Sequence, residues 1–277
     1  MYDNIFDFMN SQKAQNGLLL VDPSTGCGKT FQSCQAIYDY THGEHAAKKV
    51  YFTTTLLKNL PEEELRAAYH RKGNPNYEKE VFVIKSNEDF VKTNLPNVQV
   101  PEKYKNSEYE KLLELIEIVK GEGFVKSPAL FKEEIQKRLT NAERNFRKYL
   151  RKIISEEIKG SVDVKKDTIK KDKRYKWIGN IYPTVFTDDY KIYLLSVSKM
   201  LYHNDTLVKP SYPFISAECL KNAIVFIDEF DATKETIQNY IIEKAISTQN
   251  DYLDIVKELH SKLHDYTPAK DFYEPYR

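Results

Sequence analysis

The chain has 277 residues, with 42 basic and 41 acidic side chains. Its 41% hydrophobic content excludes a disordered chain, and its near-neutral charge excludes a globally basic nucleic-acid coat but not a local basic patch. The longest apolar runs have the length of strands rather than of membrane spans. The three cysteines lack the spacing of metal ligands or of a disulfide framework. We therefore expect a cytoplasmic protein of one large domain or two small ones, with no membrane partner.

Five apolar or β-branched runs have the length and composition of strands. They are 17–21, 49–55, 80–85, 190–196 and 223–228. We expect the first of them to be fully buried. A helical pattern over 31–40 separates the first two runs, and this alternation is typical of a βαβ unit, whose strands are parallel. The sequence therefore predicts an α/β fold with a parallel sheet flanked by helices.

Two other stretches have a helical pattern, namely 102–176 and an acidic tail over 233–263. Residues 132–176 carry sixteen Lys or Arg and eight Asp or Glu, a net charge of +8, which leaves −7 for the rest of a chain of net charge +1. One interpretation is a solvated helical insertion, and the other is a surface for a phosphate backbone. In the second interpretation the contacts would come from Arg144, Arg147, Lys148, Arg151 and Lys152. The predicted parts are thus 1–101, the basic helical insertion 102–176, and 177–277.

The most specific local signal is the segment 22–30, which reads DPSTGCGKT and lies between a predicted strand and a predicted helix. Its Gly-Lys-Thr end is that of a phosphate-binding loop, whose glycines and helix N-terminus turn N–H groups toward a polyphosphate. Lys29 would neutralise β- and γ-phosphate charge, and the Thr30 hydroxyl would hold Mg²⁺. The residues expected to bind the nucleotide are Thr25, Gly26, Cys27, Gly28, Lys29 and Thr30.

The second signal is the segment 223–231, which reads AIVFIDEFD. It is a hydrophobic strand followed directly by adjacent carboxylates. Asp228 at the strand tip would complete the Mg²⁺ site with Thr30. Glu229 would orient and deprotonate the water that attacks the γ-phosphate. The candidate catalytic residues are therefore Lys29, Asp228 and Glu229.

Together these segments resemble motifs I and II of the superfamily 2 DEAD/DEAH-box helicases and translocases. PSTGCGKT is similar to motif I, which often follows a proline such as Pro23, and DEFD is similar to motif II. The resemblance implies a RecA-like P-loop domain that binds ATP and Mg²⁺, hydrolyses ATP and acts on DNA or RNA. It also implies that Asp231 belongs to a network reaching motif III. Strand-end contacts to the nucleic-acid backbone are implied for Thr54, Thr55, Lys58, Ser196 and Ser198.

The chain departs from that family pattern in several respects. Lys29 and Asp228 are almost two hundred residues apart, and 102–176 would be the extra material. Gln12 or Gln15 could serve in adenine recognition, and the pair at 247–248 is a poor substitute for motif III. No second motor domain with arginine fingers is found in the sequence, so we expect either part of a longer helicase or a single lobe that needs a second RecA-like domain or a partner protein, with slow hydrolysis alone.

Two further interpretations remain open. One is a P-loop NTPase that acts as a switch or an assembly ATPase without processing nucleic acid. The other is a nucleotide-binding scaffold without hydrolysis, against which the complete pair of carboxylates, Asp228 and Glu229, argues. Stimulation of ATP hydrolysis by nucleic acid would separate the helicase interpretation from the switch.

Overall fold

The computed structural model describes residues 1–11, 17–21, 26–44, 46–248 and 261. The chain divides into two compact units, Met1–Glu229 and Phe230–Arg277. Among the described residues, no helix combines the length and the apolar character that a membrane crossing requires.

The first unit is built on a parallel sheet of four strands in the order β2-β3-β1-β6. The described strands are β1 Lys49–Thr54, β2 Val81–Val83, β3 Ile192–Ser196, β4 His203–Asn204, β5 Tyr212–Pro213 and β6 Ala223–Ile227. Strands β4 and β5 form a separate antiparallel pair. The predictions of a parallel α/β sheet and of strands near 49–55, 80–85, 190–196 and 223–228 are confirmed.

Helices flank this sheet and form the block predicted from the helical pattern. The helices of the first unit are α1 Tyr2–Asn10, α2 Lys29–Thr41, α3 Glu62–Arg71, α4 Tyr77–Glu80, α5 Asn87–Asn94, α6 Ser107–Lys120, α7 Glu122–Lys126, α8 Ala129–Glu157, α9 Val162–Lys171, α10 Lys176–Ile181, α11 Val197–Leu201 and α12 Ala217–Leu220. Short 3₁₀ helices cover Leu57–Asn59, Leu95–Asn97, Glu102–Tyr104 and Pro183–Asp189. The second unit is described mainly through α13, Phe230–Thr248.

Alternation along the strands gives the sheet an apolar cluster on each face. Val50 and Phe52 of β1 point to the face covered by α1, α2 and α3. Tyr51, between them, points to the other face, where it stacks on Tyr193 of β3 with ring centroids 4.7 Å apart. A third cluster lies among the helices of 87–185 and includes Trp177, which is 4% exposed. The sheet is therefore buried on both faces, as a parallel sheet requires.

The prediction of a buried strand over 17–21 is wrong in this structure. These residues pair with no described strand, and the side chains of Leu18 and Leu20 are 80% and 73% exposed. Leu19 packs against the cluster beside α2. A buried strand needs ladder hydrogen bonds and cover on both faces. The segment has neither, so its hydrophobic character alone did not specify a strand.

A buried ion cluster joins α8 to the segment that follows β4. Glu143 is 3% exposed, and its Oε1 atom lies 3.1 Å from Nε of Arg147 and accepts a hydrogen bond from the Tyr182 hydroxyl. Asp205 pairs with Arg147 at 2.8 Å and with Arg151 at 2.5 Å. Burial raises the pKa of Glu143, and Arg147 opposes that rise. Two of the five cations predicted to face a phosphate backbone, Arg147 and Arg151, are thus paired with carboxylates of the protein itself.

We expect Arg147→Met to lower the free energy of unfolding by about 3 kcal/mol at pH 7, because it leaves Glu143 buried without its cation. The raised pKa means that the folded state holds the Glu143 proton more tightly than the unfolded state does. The loss should therefore be smaller at pH 5, where protonation removes the buried charge. Urea unfolding at both pH values measures this difference.

Arg144→Met is the matched control, since Arg144 is exposed one turn earlier on α8. It should change stability by no more than about 0.5 kcal/mol. An equal loss for Arg147→Met at both pH values would contradict the role given to Glu143.

Candidate functional site

The described end of the predicted phosphate loop turns into α2 through two left-handed glycines. Gly26 has φ +84° and Gly28 has φ +72°. Only glycine adopts such values without strain. A Cβ atom built at Gly26 meets none of the described residues within 4 Å. Thr25 and the residues 22–24 before it lie outside the described residues, as do Gln12 and Gln15.

The N-terminus of α2 faces this open loop without a side-chain cap. Gly28 is the N-cap residue and supplies no side-chain hydrogen bond. The first N–H groups of a helix have no partner within the helix, and they carry the positive end of its dipole. Lys29 is exposed and Thr30 is half-buried in this first turn. The open cradle, the uncapped N–H groups, one ammonium and one hydroxyl fit a polyphosphate and its metal ion.

Gln32 braces the loop from the second turn of α2. Its Nε2 atom donates to the Cys27 carbonyl at 2.9 Å, and its Oε1 atom accepts from the Tyr2 backbone N–H at 3.0 Å. The Tyr2 hydroxyl donates to Asp39 at 2.8 Å, and burial together with this carboxylate raises the pKa of Tyr2 to about 12. The start of α1 is thereby fastened to α2 and to the loop. No sequence pattern identified Gln32, because its partners are main-chain groups, the carbonyl of Cys27 and the N–H of Tyr2 in a different helix.

The register of β1 and β6 fixes the position of Asp228. Thr53 is opposite Ile227, and the Asp228 backbone N–H donates to the Thr53 carbonyl at 3.0 Å. The Thr53 hydroxyl donates to the Phe226 carbonyl, also at 3.0 Å. Asp228 is therefore the first residue after the last paired residue of β6. In the described residues, no group of three or more His, Cys, Asp or Glu side chains could hold a metal ion. A magnesium ion bound through Thr30 and Asp228 would need phosphate or water oxygens for the rest of its shell.

Glu229 is held by the loop that follows β1. Its Oε2 atom accepts a hydrogen bond from the Thr55 hydroxyl at 2.5 Å, and its Oε1 atom accepts from the Asn59 amide at 3.1 Å. The backbone of Glu229 has φ +55°, a left-handed conformation that is strained in a residue other than glycine. Thr55 was predicted to contact nucleic acid, and the structure gives it a contact with the predicted catalytic carboxylate. Asn59 was not identified from the sequence.

The remaining strand-end residues divide into buried and exposed ones. Thr54 is fully buried and donates its hydroxyl to the Leu56 carbonyl at 2.7 Å. Ser196 is 7% exposed and caps α11 by accepting from the Lys199 N–H. Lys58 and Ser198 are exposed. The hydroxyls of Thr54 and Ser196 thus serve the protein's own backbone. In the second unit, Asp231 lies in the first turn of α13 and is exposed.

A cleft of about 1150 Å³ lies in the first unit beside the start of α2. It is lined by Thr30, by the loop over 57–61 and by side chains of α3. Thr30 and Asn59 share this cleft, and Asn59 holds Glu229. Arg71, also on the cleft wall, places its guanidinium 4.7 Å from the centre of the Phe31 ring. The cleft thus includes Thr30 of α2 and the residue that binds Glu229.

We expect Gln32→Leu to loosen the loop, because the Cys27 carbonyl loses its hydrogen bond and α1 loses one of its hydrogen bonds to α2. One such bond contributes about 1 kcal/mol, so amide hydrogen exchange over 26–30 should accelerate about fivefold. Gln35→Leu is the control, since Gln35 bonds Asp39 one turn further along the helix at 2.9 Å. The same exchange rates in both variants would contradict the bracing role of Gln32.

No model of a known protein family matches the chain, and a comparison with curated protein sequences also finds no match. The chemistry of the site must therefore be derived from its own residues. Those residues are an open glycine loop at a helix N-terminus and two adjacent carboxylates at the end of a parallel strand. The carboxylates lie where β6 ends, and the ends of the strands are where open α/β sheets bind ligands.

Proposed function

We propose that this chain is an ATP-binding and ATP-hydrolysing motor lobe of a helicase-like protein, with a RecA-like P-loop fold and a nucleic-acid partner, either DNA or RNA. The observation that carries the proposal is the cleft that Thr30 and Asn59 share, with Glu229 bound to Asn59. The cleft supports the proposal because one residue of the expected nucleotide-binding segment and the partner of one carboxylate line it together. A cytoplasmic location, expected from the cysteine usage, belongs to the same proposal.

The loop and α2 bind the nucleotide in this proposal. The N–H groups at the start of α2 donate to phosphate oxygens, and the Lys29 ammonium lowers the negative charge of the β- and γ-phosphates. Thr30 and Asp228 hold Mg²⁺, which when bound neutralises charge that develops on the phosphate oxygens. The backbone bond from Asp228 to Thr53 supports a fixed position for this carboxylate.

Glu229 acts on the attacking water. Its carboxylate accepts a proton as the water oxygen forms a bond to the γ-phosphorus. The bond from that phosphorus to the bridging oxygen breaks, and the electron pair leaves with ADP. Catalysis of this kind depends on positioning and on charge stabilisation. An arginine from a second RecA-like domain or a partner protein would complete it, so the chain alone should be slow.

One observation favours the alternative of a P-loop NTPase that does not process nucleic acid. Four of the groups predicted to contact a phosphate backbone have partners within the protein. The hydroxyls of Thr54 and Ser196 form hydrogen bonds with the polypeptide main chain. Arg147 and Arg151 form ion pairs with Asp205. The surface that remains for a polymer in the first unit is correspondingly smaller. Polymer-stimulated turnover distinguishes the two functions.

The first test is ATP binding and phosphate release by the full chain, with and without single-stranded and duplex DNA and RNA. We expect Lys29→Ala to lower ATP affinity at least tenfold, because the phosphate charge is no longer neutralised. Glu229→Gln should bind ATP within a fewfold of wild type and lose about 10²–10³ in turnover. Lys79→Ala, on α4, is the control. Failure of the wild-type chain to bind ATP would overturn the proposal, and turnover that no polymer stimulates would favour the switch or assembly ATPase.

The second test concerns an exposed stripe on α8. Arg144, Lys148 and Lys152 follow one another at i, i+4 and i+8, are exposed, and form no ion pair with the described residues. Changing all three to Gln should lower single-strand affinity and reduce the salt slope of log K by about 2, or about 0.7 for each cation. The control removes the same charge elsewhere, from Lys111, Lys120 and Lys126. Equal effects of both triple variants would mean that the basic segment is a solvated insertion and not a surface for nucleic acid.

A further inference from the structure

We propose that Thr55 and Asn59 are positioning residues that hold Glu229 turned away from the attacking water until a nucleic-acid phosphate takes over their hydrogen bonds. The inference rests on the proposed function and adds to it a route by which the polymer stimulates hydrolysis. It concerns the side chains of Thr55, Asn59 and Glu229, here called the Glu229 latch. Glu229 lies 174 residues after Thr55 and 170 residues after Asn59 in the sequence.

The latch engages both oxygens of the Glu229 carboxylate. The Thr55 hydroxyl bonds Oε2 at 2.5 Å and the Asn59 amide bonds Oε1 at 3.1 Å. These bonds direct the carboxylate toward the loop after β1 and keep it from rotating. The proton acceptor proposed for hydrolysis is thus restrained at both of its oxygens.

The sheet register makes this contact a property of the fold. Thr53 of β1 lies opposite Ile227 of β6, so Thr55 and Glu229 stand at equivalent positions, two residues beyond that pair. Glu229 reaches the contact only with a left-handed backbone, φ +55°. Such strain in a residue with a side chain persists where surrounding contacts impose it, and it collects at functional sites. The hydrogen bonds from Thr55 and Asn59 are the contacts that hold the Glu229 side chain here.

A polymer phosphate and Glu229 would compete for the same donors. The Thr55 hydroxyl has a single proton to donate, and a phosphate oxygen, like a carboxylate, only accepts. Lys58 lies between the two latch donors in sequence and is exposed. Its ammonium would attract a backbone phosphate to the loop over 55–59. When that phosphate accepts from Thr55 and Asn59, Glu229 is released and can bind the water.

The turnover test uses the full chain at saturating ATP, with and without saturating oligonucleotide. Thr55→Val removes the hydroxyl while keeping the shape of the side chain. We expect its polymer-free turnover to rise about fivefold, the factor given by one lost hydrogen bond of about 1 kcal/mol, and its stimulation by polymer to fall by the same factor. The KM for ATP should not change. Thr55→Ser keeps the donor and should restore wild-type behaviour, which a purely structural role of the threonine methyl group would not allow.

A fall in polymer-free turnover of Thr55→Val would mean that Thr55 holds Glu229 in its working position, and it would overturn the inference. An unchanged stimulation factor would overturn it as well. Asn59→Ala should change turnover in the same direction as Thr55→Val, and its thermal unfolding midpoint shows whether the variant is folded.

A binding test covers the case in which the isolated chain binds ATP but does not turn it over. Glu229→Ala frees both latch donors, so affinity for single-stranded oligo-dT and oligo-U should rise about fivefold, since coupling between sites is reciprocal. The double variant Thr55→Val with Glu229→Ala should lose that gain. Glu63→Ala is the matched control, because it removes a negative charge from the wall of the cleft that Asn59 lines.

Equal gains from Glu229→Ala and Glu63→Ala would reduce the effect to charge alone and overturn the latch. If the wild-type protein binds ATP and the latch variants behave like wild type, this inference is refuted and the proposed function remains intact. Wild-type protein that binds no ATP would refute the proposed function itself.

Discussion

The parallel pairing of β1 with β6 is the constraint on which the candidate site depends. Because Thr53 lies opposite Ile227, the chain leaves both strands at the same level, and the residues that follow them meet. The Asp228 N–H bonds the end of β1, and Thr55 reaches Glu229. A shift of one residue in this register would turn each side chain of β6 to the other face of the sheet. The burial of both faces of the sheet is therefore also what fixes the polar groups at its edge.

The sheet could be predicted because its strands carry their signal locally. Short runs of β-branched and aromatic residues at 49–54 and 192–196 indicate strands without any knowledge of contacts. The same reasoning failed at 17–21, where Leu18 and Leu20 are exposed. Apolar composition shows that a segment can be a strand, but a ladder partner decides whether it is one. In the described residues β6 is paired through β1 only, and nothing in the sequence reveals that.

The glycine loop and the adjacent carboxylates of the candidate site could be located in the sequence, because their residues are neighbours along the chain. The residues that hold them in place could not be located in this way. Gln32 acts on the Cys27 carbonyl and on the N–H of Tyr2, and Asn59 acts on a side chain 170 residues away. Polar residues such as these satisfy partners that only the fold brings near. The strand-end hydroxyl of Thr54 shows the converse, since its position suggested an outward role and its bond to the Leu56 carbonyl turns it inward.

The charge asymmetry of the sequence is resolved partly by packing. Several cations of the basic segment find their counter-charges in residues outside it, as Arg147 does with Asp205 and Lys166 and Lys170 do with Asp189, at 2.8–3.0 Å. The net charge of +8 within 132–176 and the net negative charge of the rest of the chain are thus partly balanced by ion pairs between helices α8 and α9 and the neighbouring segments. Net charge along a sequence does not distinguish such pairs from a polymer-binding face, whereas exposure and pairing do. By that criterion the stripe of Arg144, Lys148 and Lys152 is a part of α8 whose charge is directed to solvent.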